Sequence, residues 1–141
     1  MDTKLEKYIS HLQGVVRIPT VSSVNDEHTD WSQFDRLHRY MQEAWPLVFE
    51  KMELTAIGKA SLLFHWKSES RKKDPVLFMA HQDVVPAIHE EQWSHPPFGG
   101  DLADGCLWGR GAEDCKSVLT AELDAIEELL EEDFRPDFAI Y

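Results

Sequence analysis

Cysteine is scarce in this chain: its 141 residues include two, Cys106 and Cys115. One pair is too few for the disulfide framework of a small secreted domain, and its spacing matches no zinc ribbon. The first seven residues are charged and contain no apolar segment of the kind that a signal peptide requires. We therefore expect a protein of the reducing cytoplasm.

Basic residues are also few, with 14 Lys and Arg against 26 Asp and Glu and a formal net charge of −12. Nucleic-acid binding needs clustered basic residues, and the run Arg71 to Lys73 is too short to supply them. No apolar run approaches the roughly 20 residues that span a bilayer. Nucleic acids and membranes are therefore not expected partners.

The apolar pattern that is present indicates helices and strands in alternation. Helical spacing predicts one helix before Pro19, a second after a capping signal at Asp30, and a third from about Asp114 to Asp133. Pro46 would kink or split the second helix. Short runs predict strands at 54–57, 61–66, 75–80, 106–108 and 138–141. The 75–80 run is almost all apolar, as expected for a strand covered on both faces. The predicted fold is one α/β domain over residues 1–141, with a mixed, mostly parallel sheet and helices on its faces.

A histidine and an aspartate follow the apolar 75–80 run, in the segment MAHQDVVP at 79–86. Residues two apart in an extended chain point the same way, so His81 and Asp83 can face one cavity. Ligands of α/β proteins gather at such strand ends. Asp83 could ligate a metal, or it could accept the second imidazole N–H of a metal-bound His81. Spacing alone does not decide, and a hydrogen-bonded pair in a loop remains an alternative.

A third candidate lies in the segment LWGRGAEDCKS, residues 107–117. Asp114 stands at the predicted start of a helix, where the helix dipole favours a carboxylate. It could be a metal ligand, and a helix N-cap is the alternative. Lys116 either supports the site or is exposed. Cys115 could be a nucleophile, but no third group is in place to orient a base for it.

Together these segments resemble a known family. The segments at 79–86 and 93–117, with VVRIPTVS at 15–22 and SLLFHW at 61–66, are similar to the co-catalytic zinc peptidase and deacylase family. That family includes carboxypeptidase S, or Gly-Xaa carboxypeptidase, aminoacylase, acetylornithine deacetylase and succinyl-diaminopimelate desuccinylase. The carboxypeptidase S branch looks nearest. The resemblance covers nearly the whole chain and implies the N-terminal part of a zinc-peptidase catalytic domain.

The resemblance implies specific roles. His81 would ligate one of two zinc ions, Asp114 would bridge both, and Asp83 would be the catalytic-site partner that orients His81. Co²⁺ or Mn²⁺ could replace Zn²⁺. A cis peptide bond is implied between Asp114 and Cys115. Two such ions activate water and polarise an amide carbonyl, so the substrate would be a small peptide or an N-acyl amino acid.

The resemblance also implies that parts are missing. In the family, a Glu-Glu pair supplies the general base and a ligand after the strand that residues 138–141 begin. A later acidic ligand, a C-terminal histidine and a lid or dimerisation domain follow, and full-length members can form homodimers. The chain is therefore expected to be truncated and inactive alone. The alternative is a non-catalytic truncated homologue that acts as a binding or association module.

Overall fold

The computed structural model describes residues 3–70 and 73–141. Their helices are α1 (Thr3–Val16), α2 (Trp31–Ala44), α3 (Pro46–Lys51) and α4 (Ser117–Glu131). Their strands are β1 (Glu53–Ile57), β2 (Ser61–His65), β3 (Asp101–Ala103) and β4 (Cys106–Trp108). Among the described residues, no helix is both long enough and apolar enough to cross a membrane.

The region predicted as the second helix forms two helices. Asp30 caps α2, because its carboxylate accepts the N–H of Ser32 at 3.1 Å. Pro46 occupies the first turn of α3, where a missing N–H leaves no helical hydrogen bond unmade. The predicted break at Pro46 is confirmed.

The strands confirm a mixed α/β fold, but the expectation of a mostly parallel sheet is wrong for the described residues. β1 pairs with β2, and β3 with β4, both as antiparallel hairpins. Parallel pairing is limited to isolated bridges, Val21 with Val84 and Val76 with Ile140. The reason is local: each hairpin joins neighbours along the chain through a short turn, which only antiparallel strands allow.

The apolar run at 75–80 is not the strand buried on both faces that the sequence predicted. It pairs with the last residues of the chain, since Val76 donates to the Ala139 carbonyl at 2.9 Å. However, Leu77, Phe78 and Met79 are 56%, 51% and 76% exposed. Ala80, at the end of this run, is partly buried and packs against the hydrophobic core. Apolar side chains favour burial, but a run of them does not determine whether other helices or strands lie over it.

The core lies among the helices and brings the beginning of α4 against the end of α1. Its buried side chains come from α1, α2, α3, α4 and the segments beside them: Val15, Ile18, Leu37, Met41, Trp45, Val48, Met52, Trp66, Leu119, Leu123 and Ile140. The loop that precedes α4 is thereby held next to the segments that carry His81 and Thr20.

Candidate metal centre

Two distant segments bring His81 and Asp114 together. The imidazole Nε2 of His81 lies 3.0 Å from Oδ1 of Asp114. The other ring nitrogen, Nδ1, lies 2.9 Å from the backbone carbonyl oxygen of Asp83 and 3.3 Å from its carboxylate Oδ1. The two residues that the sequence selected as candidate metal ligands are therefore neighbours, and the ring is held from both sides.

Asp83 lies on the opposite side of the imidazole ring from Asp114. Its backbone carbonyl is the nearer partner of Nδ1, while its carboxylate accepts a hydrogen bond from the Ser22 hydroxyl. Of the two roles that the sequence left open, this geometry favours the orienting role. The carbonyl performs that role more directly than the carboxylate, which spacing along the chain could not reveal.

Asp114 is not a helix N-cap. The predicted helix begins three residues later than expected, at Ser117, because Asp114 (φ −116°, ψ 98°) and Cys115 (φ −133°, ψ 22°) have non-helical torsions. The peptide bond between them is cis, so that implication of the resemblance is confirmed. The Asp114 side chain is 89% exposed, and its carboxylate is directed to His81 instead of to helix N–H groups. The N-cap alternative is wrong.

Cys115 joins the same cluster. His81, Asp114 and Cys115 each offer a ligand atom, and these atoms lie within 4.8 Å of one another. Within residues 3–70 and 73–141, no other group of three or more such side chains meets this spacing. Imidazole, carboxylate and thiolate are donors that zinc accepts, and cobalt shares these preferences. The residues present therefore fit a divalent ion of this kind.

The Asp114 carboxylate changes the acidity of His81. Its hydrogen bond to Nε2 raises the pKa of His81 above the usual 6.5, and the Asp83 carbonyl at Nδ1 adds to the effect, while burial opposes it. The protonated ring is thus stabilised in the metal-free chain. An incoming metal ion must displace that proton, which makes binding dependent on pH.

Lys116 is buried, contrary to the exposed alternative. It is 0% exposed, and its ammonium donates to the backbone carbonyls of Val15 at 2.9 Å and Ile18 at 2.6 Å. Burial lowers its pKa to about 8. The sequence left open whether Lys116 supports the site or is exposed, because a lysine near the start of a helix usually extends into solvent. Its place directly after Asp114 and Cys115 was the available signal.

Known proteins are similar to this chain in sequence and in fold. Residues 77–141 match the model of peptidase family M20/M25/M40. Carboxypeptidase S of Saccharomyces cerevisiae is 38% identical over 141 residues, covering 94% of this chain and 24% of the relative. The mouse N-fatty-acyl-amino acid synthase/hydrolase PM20D1 is 37% identical over 127 residues, covering 89% of this chain and 25% of the relative. Human carnosine dipeptidase 1 has a similar fold, with a TM-score of 0.74 at 22% identity over 99% of this chain and 31% of that chain.

The family model and the relatives place this α/β chain in the metallopeptidase class. The chain belongs to peptidase family M20/M25/M40 and corresponds to the N-terminal part of its members. It spans about a quarter of the length of the curated relatives that it matches.

Proposed function

We propose that the chain is the N-terminal part of a zinc-dependent hydrolase that cleaves dipeptides or N-acyl amino acids with metal-activated water. The observation that supports this most directly is the 3.0 Å approach of His81 Nε2 to Asp114 Oδ1, between residues 33 positions apart. The printed names of the relatives, carboxypeptidase S and N-fatty-acyl-amino acid synthase/hydrolase, support the substrate class.

In this proposal, His81 and Asp114 are metal ligands, and Asp83 is the catalytic-site residue that orients His81. The Asp83 carbonyl lies 2.9 Å from Nδ1, so it can accept a hydrogen bond from the Nδ1–H and leave the lone pair of Nε2 available to a metal ion. Zn²⁺ is the expected ion, two per complete site, and Co²⁺ or Mn²⁺ can substitute. When bound, such ions lower the pKa of water and polarise the substrate carbonyl.

We propose that residues 1–141 form one incomplete catalytic domain without hydrolytic activity of its own. A catalytic zinc normally has three protein ligands and a water. Here the proposed ligands of the two-metal centre are His81 and Asp114, and the chain spans about a quarter of its relatives. The general base, the remaining ligands and any homodimer contacts are assigned to further sequence in the longer protein.

Metal titration tests the ligand assignment. Zn²⁺ binding to the purified chain is measured by competition with a chromophoric chelator, and His81→Ala and Asp114→Ala should each weaken it by about tenfold or more. His89→Ala is the matched control, because His89 is a loop histidine whose side chain is 67% exposed and pairs with Glu91. Equal affinity of the wild-type and His81→Ala chains would refute the assignment.

Activity is measured separately with a Gly-Leu dipeptide and an N-acyl amino acid. Zinc-dependent cleavage of either by the 141-residue chain would overturn the proposed lack of activity. It would leave the ligand assignment intact, because that assignment depends on the titration alone.

The exposure of Leu77, Phe78 and Met79 favours the second candidate, an association module. Such a module would associate through this run whether or not metal is present. Sedimentation velocity of the wild type and of Phe78→Lys, with and without Zn²⁺, separates the candidates. Metal-independent association that Phe78→Lys abolishes, together with unchanged metal affinity in His81→Ala, would support the module over the hydrolase.

A further inference from the structure

We infer that Lys116 is a positioning residue for the candidate metal centre, and that its buried ammonium fixes the segment carrying His81 relative to the segment carrying Asp114. The inference rests on the proposed function and adds to it a residue that acts through the backbone. The supporting observation is a continuous series of contacts that leads from Lys116 to His81 and returns to Asp114.

The series begins at the end of α1. The Lys116 ammonium donates to the carbonyl of Val15, in the last turn of α1, at 2.9 Å, and to that of Ile18, two residues past its end, at 2.6 Å. Each carbonyl also accepts one backbone N–H, from Ile18 and Thr20 respectively. A buried ammonium is costly unless it is hydrogen-bonded, so these bonds tie α1 to the loop before α4.

The absence of a side chain at Gly111 leaves room for the methylene groups of Lys116. Gly111 has φ +81°, and a Cβ there would lie 2.5 Å from a Val84 methyl and 3.3 Å from the Lys116 Cδ. The backbone N–H of Lys116 also donates to the Gly111 carbonyl at 2.9 Å. Glycine at this position lets the lysine stem and the 82–84 segment pack against the same turn.

The next contacts lead from α1 to His81. Thr20, which is 0% exposed, follows Ile18, and its hydroxyl donates to the Gln82 carbonyl at 2.6 Å. Its carbonyl accepts the N–H of Val84 at 2.9 Å. These two hydrogen bonds fix the backbone on both sides of Asp83, and the Asp83 carbonyl is in turn the hydrogen-bond partner of His81 Nδ1.

The series closes because Lys116 and Asp114 are two residues apart on one loop, and Asp114 meets Nε2 of His81 at 3.0 Å. Loss of the ammonium would let the end of α1, and with it Thr20 and the 82–84 segment, shift relative to Asp114, while the core and the contacts of α1 with α4 keep the helix itself in place. A methionine of similar length would fill the same space without joining the two segments. Lys116 therefore sets the separation of the two ligands without touching the metal.

The test uses Lys116→Met in the 141-residue chain, with Co²⁺ as the probe. Co²⁺ affinity and the visible spectrum of the bound ion are measured where circular dichroism shows each variant folded. We expect Lys116→Met to bind Co²⁺ about tenfold or more weakly, with an altered spectrum, as for other residues that orient ligands. Thr20→Val breaks a later contact of the same series and should weaken binding by about three- to tenfold, the equivalent of one hydrogen bond.

The matched control is Trp45→Phe. It removes a buried hydrogen bond from Trp45 Nε1 to Asp124 at 2.7 Å and lies outside the series of contacts. It should destabilise the fold yet keep the Co²⁺ dissociation constant within about twofold, because Trp45 takes part in none of the hydrogen bonds that link Lys116 to His81. Equal weakening in Trp45→Phe and Lys116→Met would reduce Lys116 to a general stability role and overturn the inference.

A second readout needs no metal. Long-range ¹H–¹⁵N correlations of His81 report the state of its Nε2, and they should change in Lys116→Met and Thr20→Val but not in Trp45→Phe. If the wild type binds no Co²⁺, the proposed function fails, and these correlations still decide on Lys116. If wild-type binding depends on His81 but both variants keep the wild-type affinity and spectrum, only the Lys116 inference fails. If Lys116→Met does not fold, Thr20→Val decides.

Discussion

Glu127→Gln is predicted to destabilise the fold strongly, although it changes only one carboxylate on α4 to an amide. Glu127 is 3% exposed. Its two carboxylate oxygens accept the N–H groups of Leu47 at 3.0 Å and Val48 at 2.9 Å, in the first turn of α3. These donors have no partner within α3, so Glu127 holds α3 against α4, the helix that follows the candidate metal centre.

The magnitude follows from these two bonds. A glutamine keeps one acceptor oxygen and turns an NH₂ group toward the second N–H, so about one charge-assisted bond, worth about 1.5–3 kcal/mol, is lost. The favourable position of a buried negative charge at a helix N-terminus is lost as well, which brings the expected total to about 2–4 kcal/mol. For a chain of this size the melting temperature should fall by roughly 8–15 °C.

The assay is urea unfolding followed by circular dichroism, with Glu131→Gln as the control. Glu131 lies one turn further along α4, and its side chain is 52% exposed and pairs with Lys7 at 3.5 Å. That substitution should cost less than about 1 kcal/mol. A Glu127→Gln variant as stable as Glu131→Gln would show that the carboxylate does not hold α3, and the reasoning from its two short contacts would be wrong.

Three further predictions concern the candidate metal centre. Gly111→Ala should destabilise the chain by about 1–3 kcal/mol more than Gly105→Ala, as measured by urea unfolding. Both glycines have a positive φ, but a Cβ at position 111 would lie 2.5 Å from a Val84 methyl, whereas a Cβ at position 105 would meet nothing within 4 Å. In the metal-free chain, the His81 pKa measured by NMR should exceed 6.5, and Asp114→Asn should lower it, because the bond to Asp114 is the main cause of the shift; an unchanged pKa would contradict that contact. The raised pKa of His81 also fixes how stability depends on pH. The His81–Asp114 contact stabilises the metal-free fold fully below the unfolded-state pKa of the histidine, and this contribution is lost as pH rises through the folded-state pKa. Zn²⁺ affinity should change in the opposite direction and fall as pH drops through the pKa of His81.

The sequence predicted the local structure well where one short-range cause decides it. Asp30 caps a helix, and Pro46 starts a new one, because each acts on its immediate neighbours. The hairpin of β1 and β2 follows from two short apolar runs separated by Gly58, which has φ +61°. These features need no knowledge of the tertiary structure.

The sequence failed where distant contacts decide. The run at Leu77 to Met79 has the composition of a covered strand, yet these side chains are half or more exposed. Lysine is typically a surface residue, yet Lys116 is fully buried, because its ammonium donates hydrogen bonds to the carbonyls of Val15 and Ile18, about 100 positions away in the sequence. The type of a residue indicates the free energy of transferring its side chain from water to the protein interior, but the fold determines which hydrogen-bonding partners that side chain finds there.

The candidate site shows both outcomes. The i, i+2 spacing of His81 and Asp83 predicted that the two residues act together, and they do approach each other. The backbone carbonyl of Asp83 is nevertheless closer to the ring than its carboxylate, a detail that depends on how the 82–84 segment is held. Spacing could not connect Asp114 with His81, which are 33 positions apart; the predicted α/β pattern placed both after strands, and the resemblance to a peptidase family implied their roles as ligands.

The exposure of the two proposed ligands bears on what a hydrolase built on them would need. The side chains of His81 and Asp114 are 48% and 89% exposed. Electrostatic stabilisation of a transition state is strongest where water is excluded, and at an open surface the same charges are screened. A hydrolytic centre built on these residues therefore requires further protein surface over Asp114, from another part of a longer chain or from a partner. Solvent relaxation of a Mn²⁺ probe measures this directly: the 141-residue chain should show a water-accessible ion, and a complete hydrolase should show fewer exchanging waters. Equal numbers in both would mean that this site operates without enclosure, against the reasoning from exposure.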